Sequence, residues 1–84
     1  MSEINEQAVI DALTDEIEEL SSADINLEQP LTALPVWNSI NALFILNRLK
    51  QDFAVTLTID EIRETGSVRQ LILLMRKKQK HEEA

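Results

Sequence analysis

The sequence predicts an all-α fold, a small helical bundle of three main helices and one short helix with a long first loop. Apolar residues recur at helical spacing in three separate segments. One Gly, two Pro and abundant Leu, Ile and Ala favour helices over a turn-rich β fold. A length of 84 residues fits one domain with a modest core. We therefore expect a single domain over residues 1–84, with an ordered core of about residues 3–78.

The first helix is predicted from about Glu3 to Leu20, because one apolar stripe follows the helical period with carboxylates opposite it. The stripe consists of Ile4, Ala8, Val9, Ala12, Leu13, Ile17 and Leu20. The loop that follows, Ser21–Trp37, is long for so small a domain. Four apolar residues explain how so long a loop fits a small fold, because they can lie across the bundle as an apolar strap: Ile25, Leu27, Leu31 and Leu34.

The second helix is predicted from about Ser39 to Asp52, after a segment in which Pro30 and Pro35 prevent regular helix. Its inward side is expected to carry Leu43, Leu46, Leu49, Phe53 and Ile45. Its other side carries Ile40, Asn41, Phe44, Asn47, Arg48 and Gln51. Phe44 lies among polar neighbours there, so we expect it to be exposed.

A short third helix is predicted near Asp60–Glu64. The preceding Val55–Ile59 alternates like a strand, but no second strand exists to pair with it, so we expect an extended link. Thr58 and Glu61 match a capping box that opens the helix. Gly66 is expected to end it.

The last helix is predicted to begin at a second capping-box match, formed by Ser67 and Gln70. Its inward residues are Val68, Leu71, Ile72 and Met75. Basic residues near its end complement the helix dipole. The chain after about Lys78 is expected to fray.

Composition excludes several classes of protein. Without cysteine there are no disulfides or thiolate metal sites, and the only histidine, His81, lies in the tail. The longest apolar runs have five residues, far short of a membrane span. No signal segment opens the chain, so we expect a cytoplasmic location with no membrane partner.

The net charge of −7 is unevenly distributed along the chain. Residues 1–37 carry nine acidic residues and no Lys or Arg, whereas residues 38–84 carry six acidic and eight basic residues. The acidic half opposes binding to a nucleic acid backbone. Two explanations of the asymmetry stay open, which are solubility and recognition by a basic partner.

The candidate site is the tripeptide Asn38-Ser39-Ile40. Ser39 lies at a helix start, where unpaired amides and the positive end of the dipole favour a phosphate. The other serines are terminal, follow the first helix or open the last one: Ser2, Ser21, Ser22 and Ser67. Ser39 differs from Ser67, the other serine at a predicted helix start, in having Ala42, not Glu or Gln, three residues later. The alternative is that Ser39 is an ordinary N-cap, worth about 1 kcal/mol.

The segment Trp37–Leu43 resembles the attachment site of acyl carrier proteins. The family pattern is Asp-Ser-Leu at the start of the second helix, and its serine carries 4′-phosphopantetheine. Leu46–Leu57 is similar to the family's segment in which the second helix ends and the chain leaves it. Thr65–Leu71 is similar to the start of the family's last helix. The resemblance extends over about residues 4–76 and implies an acyl-carrier-like helical bundle of the stand-alone type.

The resemblance implies that the protein is a carrier and not an enzyme. Ser39 would carry a 4′-phosphopantetheine arm taken from coenzyme A, with Asn38 and Ile40 beside it. The arm would hold acyl groups as thioesters in a fatty-acid-like or a specialised polyketide- or peptide-type pathway. The implied partners are a phosphopantetheinyl transferase and acyl-activating or acyl-transferring enzymes, and we expect a monomer. Asn38 departs from the family's Asp, because it keeps the capping ability but loses the charge.

Partner contacts are expected on the exposed side of the second helix. The candidates are Trp37, Ile40, Asn41, Phe44, Asn47 and Arg48. This side is less acidic than in fatty-acid carriers, which indicates partners that contact a more apolar surface. Trp37 has two interpretations, a lid on the core or a contact beside the arm. The alternative function is a cofactor-free interaction module that binds its partner through Ile40 and Phe44.

Overall fold

The computed structural model describes residues 3–83, with side chains described for residues 3–79. Its α-helices are α1 (Glu6–Glu16), α2 (Ser39–Phe53), α3 (Ile59–Glu64) and α4 (Val68–Glu83). Within this range there is no strand, so the predicted all-α bundle of three main helices and one short helix is confirmed. None of these helices is both long and apolar enough to cross a membrane.

The first helix is shorter than predicted at both ends. Asn5 is its N-cap, and the Asn5 side-chain oxygen accepts a hydrogen bond from the Ala8 amide at 2.8 Å. At the other end the backbone becomes extended at Ile17 (φ −109°, ψ 105°). Ile17 and Leu20 are buried all the same. The predicted range of Glu3 to Leu20 was wrong because core residues flanking the helix continue its apolar stripe.

The long first loop forms the predicted apolar strap. Two single turns of 3₁₀-helix, Ser22–Asp24 and Leu31–Ala33, interrupt it. Leu31 and Leu34 are buried in the core, while Ile25 and Leu27 are half-buried against it.

The strap also satisfies the first backbone amides of α4. The Val68 amide donates to the Gln29 carbonyl at 2.8 Å, and the Arg69 amide donates to the Leu27 carbonyl at 3.0 Å. These amides have no partner within their own helix. The loop is therefore fixed to the bundle by backbone hydrogen bonds as well as by apolar packing.

The second helix has nearly the predicted range but a different inward side. Its buried residues are Ala42, Ile45, Leu49 and Phe53. Leu43, which was predicted to face inward, is 62% exposed. At about 100° per residue, Leu43 lies about 160° from Ile45 around the helix. Because Ile45 points into the core, that prediction was wrong.

The third helix begins with the predicted capping box. The Glu61 amide donates to the Thr58 hydroxyl at 3.1 Å, and the Thr58 amide donates to the Glu61 carboxylate at 3.0 Å. The helix ends at Glu64, as predicted, but Gly66 does not form the expected glycine cap, since Thr65 is already extended and Gly66 has no positive φ. The segment before α3 is the predicted extended link, in which Val55 and Leu57 are buried.

The fourth helix shows half of its predicted capping box. The Gln70 amide donates to the Ser67 hydroxyl at 3.1 Å, as predicted. The Gln70 side chain, however, accepts from the Gly66 amide at 2.7 Å, not from Ser67. The predicted inward residues are all buried, namely Val68, Leu71, Ile72 and Met75. The helix extends to Glu83, beyond the expected fraying after Lys78, and the His81 side chain lies outside the described residues.

Candidate functional site at the amino end of α2

Ser39 is the first residue of α2, and its side chain is exposed. Its hydroxyl makes no hydrogen bond with any side chain or backbone group of residues 3–79. The N-cap is Asn38, whose side-chain oxygen accepts from the Asn41 amide at 2.8 Å. The Asn38 carbonyl also accepts from the Ala42 amide at 2.8 Å. The alternative that Ser39 is an ordinary N-cap is therefore wrong, and its hydroxyl has no structural task in the described part of the chain.

Two backbone amides at this helix end have no partner within the described residues. They belong to Ser39 and Ile40, since Asn38 already satisfies the next two amides. The positive end of the α2 dipole is therefore presented beside the free hydroxyl. An anion attached to Ser39 would meet a favourable field there.

The turn before α2 is fixed by hydrogen bonds to one carbonyl. The Asn41 side chain donates to the Val36 carbonyl at 2.7 Å, and the Asn38 side chain donates to the same oxygen at 3.4 Å. The Trp37 amide donates to the Leu34 carbonyl at 3.0 Å. These contacts hold the backbone that presents Ser39 in a defined position.

Two open depressions meet at Ser39. The larger has a volume of about 660 Å³ and is lined by Glu19, Val36, Asn38, Ser39, Ile40 and Asn41. The smaller has a volume of about 260 Å³ and is lined by Trp37, Ser39, Ala42, Leu43, Ile59 and Arg63. Each contains one charged side chain, a carboxylate in the larger and a guanidinium in the smaller.

An apolar surface lies beside the serine. Ile40 is 66% exposed, Leu43 62% and Phe44 50%. We refer to these three residues as the α2 patch. The expected exposure of Phe44 is confirmed, and Asn47 on the same helix is also exposed. Trp37 is half-buried against the core, and it lines the smaller depression as well.

Arg48 is tied to carboxylates within the molecule. Its guanidinium pairs with Asp15 at 2.8 Å, Glu16 at 3.4 Å and Asp52 at 2.8 Å, and its side chain is only 23% exposed. Hydrogen bonds to Asp52 and then to Asp15 raise the pKa of Arg48 above its usual value. This cluster joins α1 to α2, which leaves Arg48 less free than Phe44 or Asn47 to meet a partner.

The charge asymmetry along the sequence is partly neutralised in the fold. Arg48 meets acids of the first half of the chain, and Arg69 pairs with Glu6 and Glu28, each at 2.9 Å. These acids therefore meet bases of the second half, not only solvent.

Three residues beside Ser39 were not predicted from the sequence, namely Glu19, Leu43 and Arg63. Glu19 follows the shortened first helix, and Leu43 was placed in the core. Arg63 lies 24 positions from Ser39 and reaches it only through the packing of α3 beside α2. No local pattern around Arg63 signals that proximity.

The arrangement fits a phosphopantetheine group in its donor chemistry. It offers one free hydroxyl for a phosphodiester, two free amides for the phosphate oxygens and an arginine nearby. The chain itself has no cysteine, so any thiol at this site has to come from an attached group.

Comparisons with models of protein families, with curated proteins and with solved structures find no match to this chain.

Proposed function

We propose that Ser39 carries 4′-phosphopantetheine and that the protein is an acyl carrier, a cosubstrate of other enzymes. The observation that supports this most is the exposed Ser39 hydroxyl, which has no partner within the described residues. A serine at a helix start usually caps the helix. Here Asn38 performs that task, so modification of Ser39 costs the fold no hydrogen bond.

The proposed attachment needs a separate transferase. The Ser39 oxygen forms a bond to the phosphorus of coenzyme A that bears the pantetheine, and the phosphoanhydride bond breaks. Adenosine 3′,5′-bisphosphate leaves, and a base of the transferase takes the serine proton. Among residues 3–79, no His lines either depression beside Ser39, and the chain has no Cys. The carrier therefore supplies the nucleophilic oxygen and its position, and the transferase supplies the remaining chemistry.

The attached arm supplies the thiol that holds acyl groups as thioesters, and the protein supplies the attachment point and the surface that partner enzymes recognise. A flexible tether raises the local concentration of the acyl group at a docked enzyme. We propose that the α2 patch contacts acyl-activating or acyl-transferring enzymes of a fatty-acid-like or specialised pathway. Because the exposed residues of the patch are apolar, they suit a partner surface that is less basic than the surfaces that bind an acidic helix.

The proposal is tested by incubating the full chain with coenzyme A and a broad-specificity phosphopantetheinyl transferase. We expect intact-mass measurement to show the addition of one phosphopantetheinyl group. Ser39→Ala should abolish the addition, while Ser22→Ala, which removes another exposed serine, should leave it unchanged. Folded wild-type protein that stays unmodified with several such transferases would overturn the proposal.

The missing charge at position 38 is tested separately. Asn38→Asp keeps an N-cap oxygen for the Asn41 amide and adds a carboxylate beside Ser39. If the transferase uses that charge, Asn38→Asp speeds modification. An unchanged rate would show that this chain is modified without it.

A second candidate function is a cofactor-free interaction module, and the observation that favours it is the α2 patch. Three exposed apolar side chains at one helix end can bind a partner without any modification. Phe44→Ser distinguishes the candidates. A carrier keeps its modification and loses transfer from the cognate enzyme, whereas a module loses partner binding and has no modification to keep.

A further inference from the structure

The smaller depression beside Ser39 combines an apolar wall with one cation. Trp37, Leu43 and Ile59 supply the wall, and Arg63 of α3 supplies the cation. We refer to this depression as the Trp37–Arg63 pocket. Ser39 lines it directly, so a group attached to the serine oxygen starts at the pocket itself.

Arg63 differs from the other arginines of the described chain. Arg48 and Arg69 pair with carboxylates, and Arg76 donates to the Ile4 carbonyl at 3.1 Å. Arg63 is exposed and has no hydrogen bond or ion pair with residues 3–79. Its guanidinium is therefore available to an anion from outside the fold.

The geometry points to the Trp37–Arg63 pocket as the binding site for the first segment of the phosphopantetheine arm, an inference that rests on the proposed function. Arg63 pairs with the phosphodiester, whose single negative charge it complements. The branched apolar carbons next to the phosphate pack against Leu43 and Ile59, with Trp37 beside them. The covalent link to Ser39 holds this occupant at the pocket at high effective concentration.

The size of the pocket limits what it holds. Its volume of about 260 Å³ is below the range of about 300–1,000 Å³ that is typical of sites for whole small molecules. It therefore accommodates part of the arm and not a long acyl chain in addition. The thioester end stays outside, where a partner enzyme reaches it.

Trp37 is the only tryptophan of the chain, so it reports on the pocket without a label. The experiment compares acrylamide quenching of Trp37 fluorescence in the unmodified protein and in the protein carrying the unacylated arm. We expect the arm to reduce quenching in the wild type. Arg63→Gln should lower the ratio of docked to free arm about two- to fivefold, as expected for loss of one exposed ion pair. High salt should act on the wild type in the same direction.

The control variant is Lys50→Gln, which removes the same charge from the far end of α2, about 17 Å along the helix from Ser39. It should retain the wild-type protection of Trp37. Leu43→Ser changes the apolar wall without changing charge, and it should also lower the protection. Both Leu43 and Arg63 are exposed, so neither variant should change the unfolding temperature.

The outcomes separate this inference from the proposed function. If mass measurement shows a fully modified Ser39 but Trp37 is quenched equally in both forms, the pocket does not bind the arm and the carrier function stands. Protection that is identical in wild type and Arg63→Gln overturns the pairing with the phosphate. A Ser39 that no transferase modifies overturns the proposed function and this inference together.

Discussion

Asn38 and Ser39 are adjacent at the start of α2, yet the structure gives them opposite importance for stability. Asn38→Ala removes the 2.8 Å hydrogen bond from the Asn41 amide, while the backbone bond from Ala42 to residue 38 remains. The 3.4 Å contact with Val36 is long and adds little. Loss of an N-cap side chain costs about 1 kcal/mol, which corresponds to a decrease of about 4–8 °C in Tm for a domain of this size.

Ser39→Ala should change Tm by much less, because the Ser39 hydroxyl has no partner within the described residues. Thermal unfolding of both variants, followed by far-UV circular dichroism, measures the difference directly. A decrease in Tm for Ser39→Ala as large as that for Asn38→Ala would contradict this prediction. Such a result would mean that the serine caps the helix and is not free for modification.

Three further predictions concern the rest of the fold. Arg48→Met leaves three carboxylates close together and should destabilise the protein by about 1–2 kcal/mol in urea unfolding, and a loss that is unchanged in 1 M salt would contradict this electrostatic origin. Ala54 has a left-handed backbone (φ 56°, ψ 36°), so Ala54→Gly should stabilise the protein by about 0.5–1 kcal/mol, and a lower Tm would contradict this. The hydrogen bond from Lys78 lowers the pKa of Glu61 below its usual 4.5. The stabilisation that the ionised Glu61 carboxylate gives the fold is therefore present above pH 4.5 and is lost as the pH falls below that value. The stability difference between wild type and Glu61→Gln should therefore decrease on acidification, and a constant difference from pH 7 to pH 3 would contradict it.

Local signals in the sequence predicted local features well. The start of α2 follows from the proline-bearing loop, and the start of α3 follows from the Thr58 and Glu61 capping box. Burial was predicted less well where it depends on packing. Ile17 continues the stripe of α1 from outside the helix, because periodicity records burial and not hydrogen bonding. Leu43 is apolar and exposed because no element of the described chain covers it.

The candidate site shows the same division. The position of Ser39 at a helix start and the ability of Asn38 to cap that helix were both predicted from the sequence, because both depend on neighbouring residues. Arg63 beside Ser39 and the pairing of Arg48 with Asp15 depend on how separate helices pack. Residue spacing carries no signal for such contacts. These contacts can be identified only from the three-dimensional arrangement of the helices.

The most direct test of the proposed attachment to Ser39 is to locate the phosphopantetheinyl group by tandem mass spectrometry of the protein treated with coenzyme A and a transferase. We expect a single modified residue, Ser39, in protein whose circular dichroism and Tm show an intact fold. Folded protein without the added group, or with the group on a different serine, would contradict it.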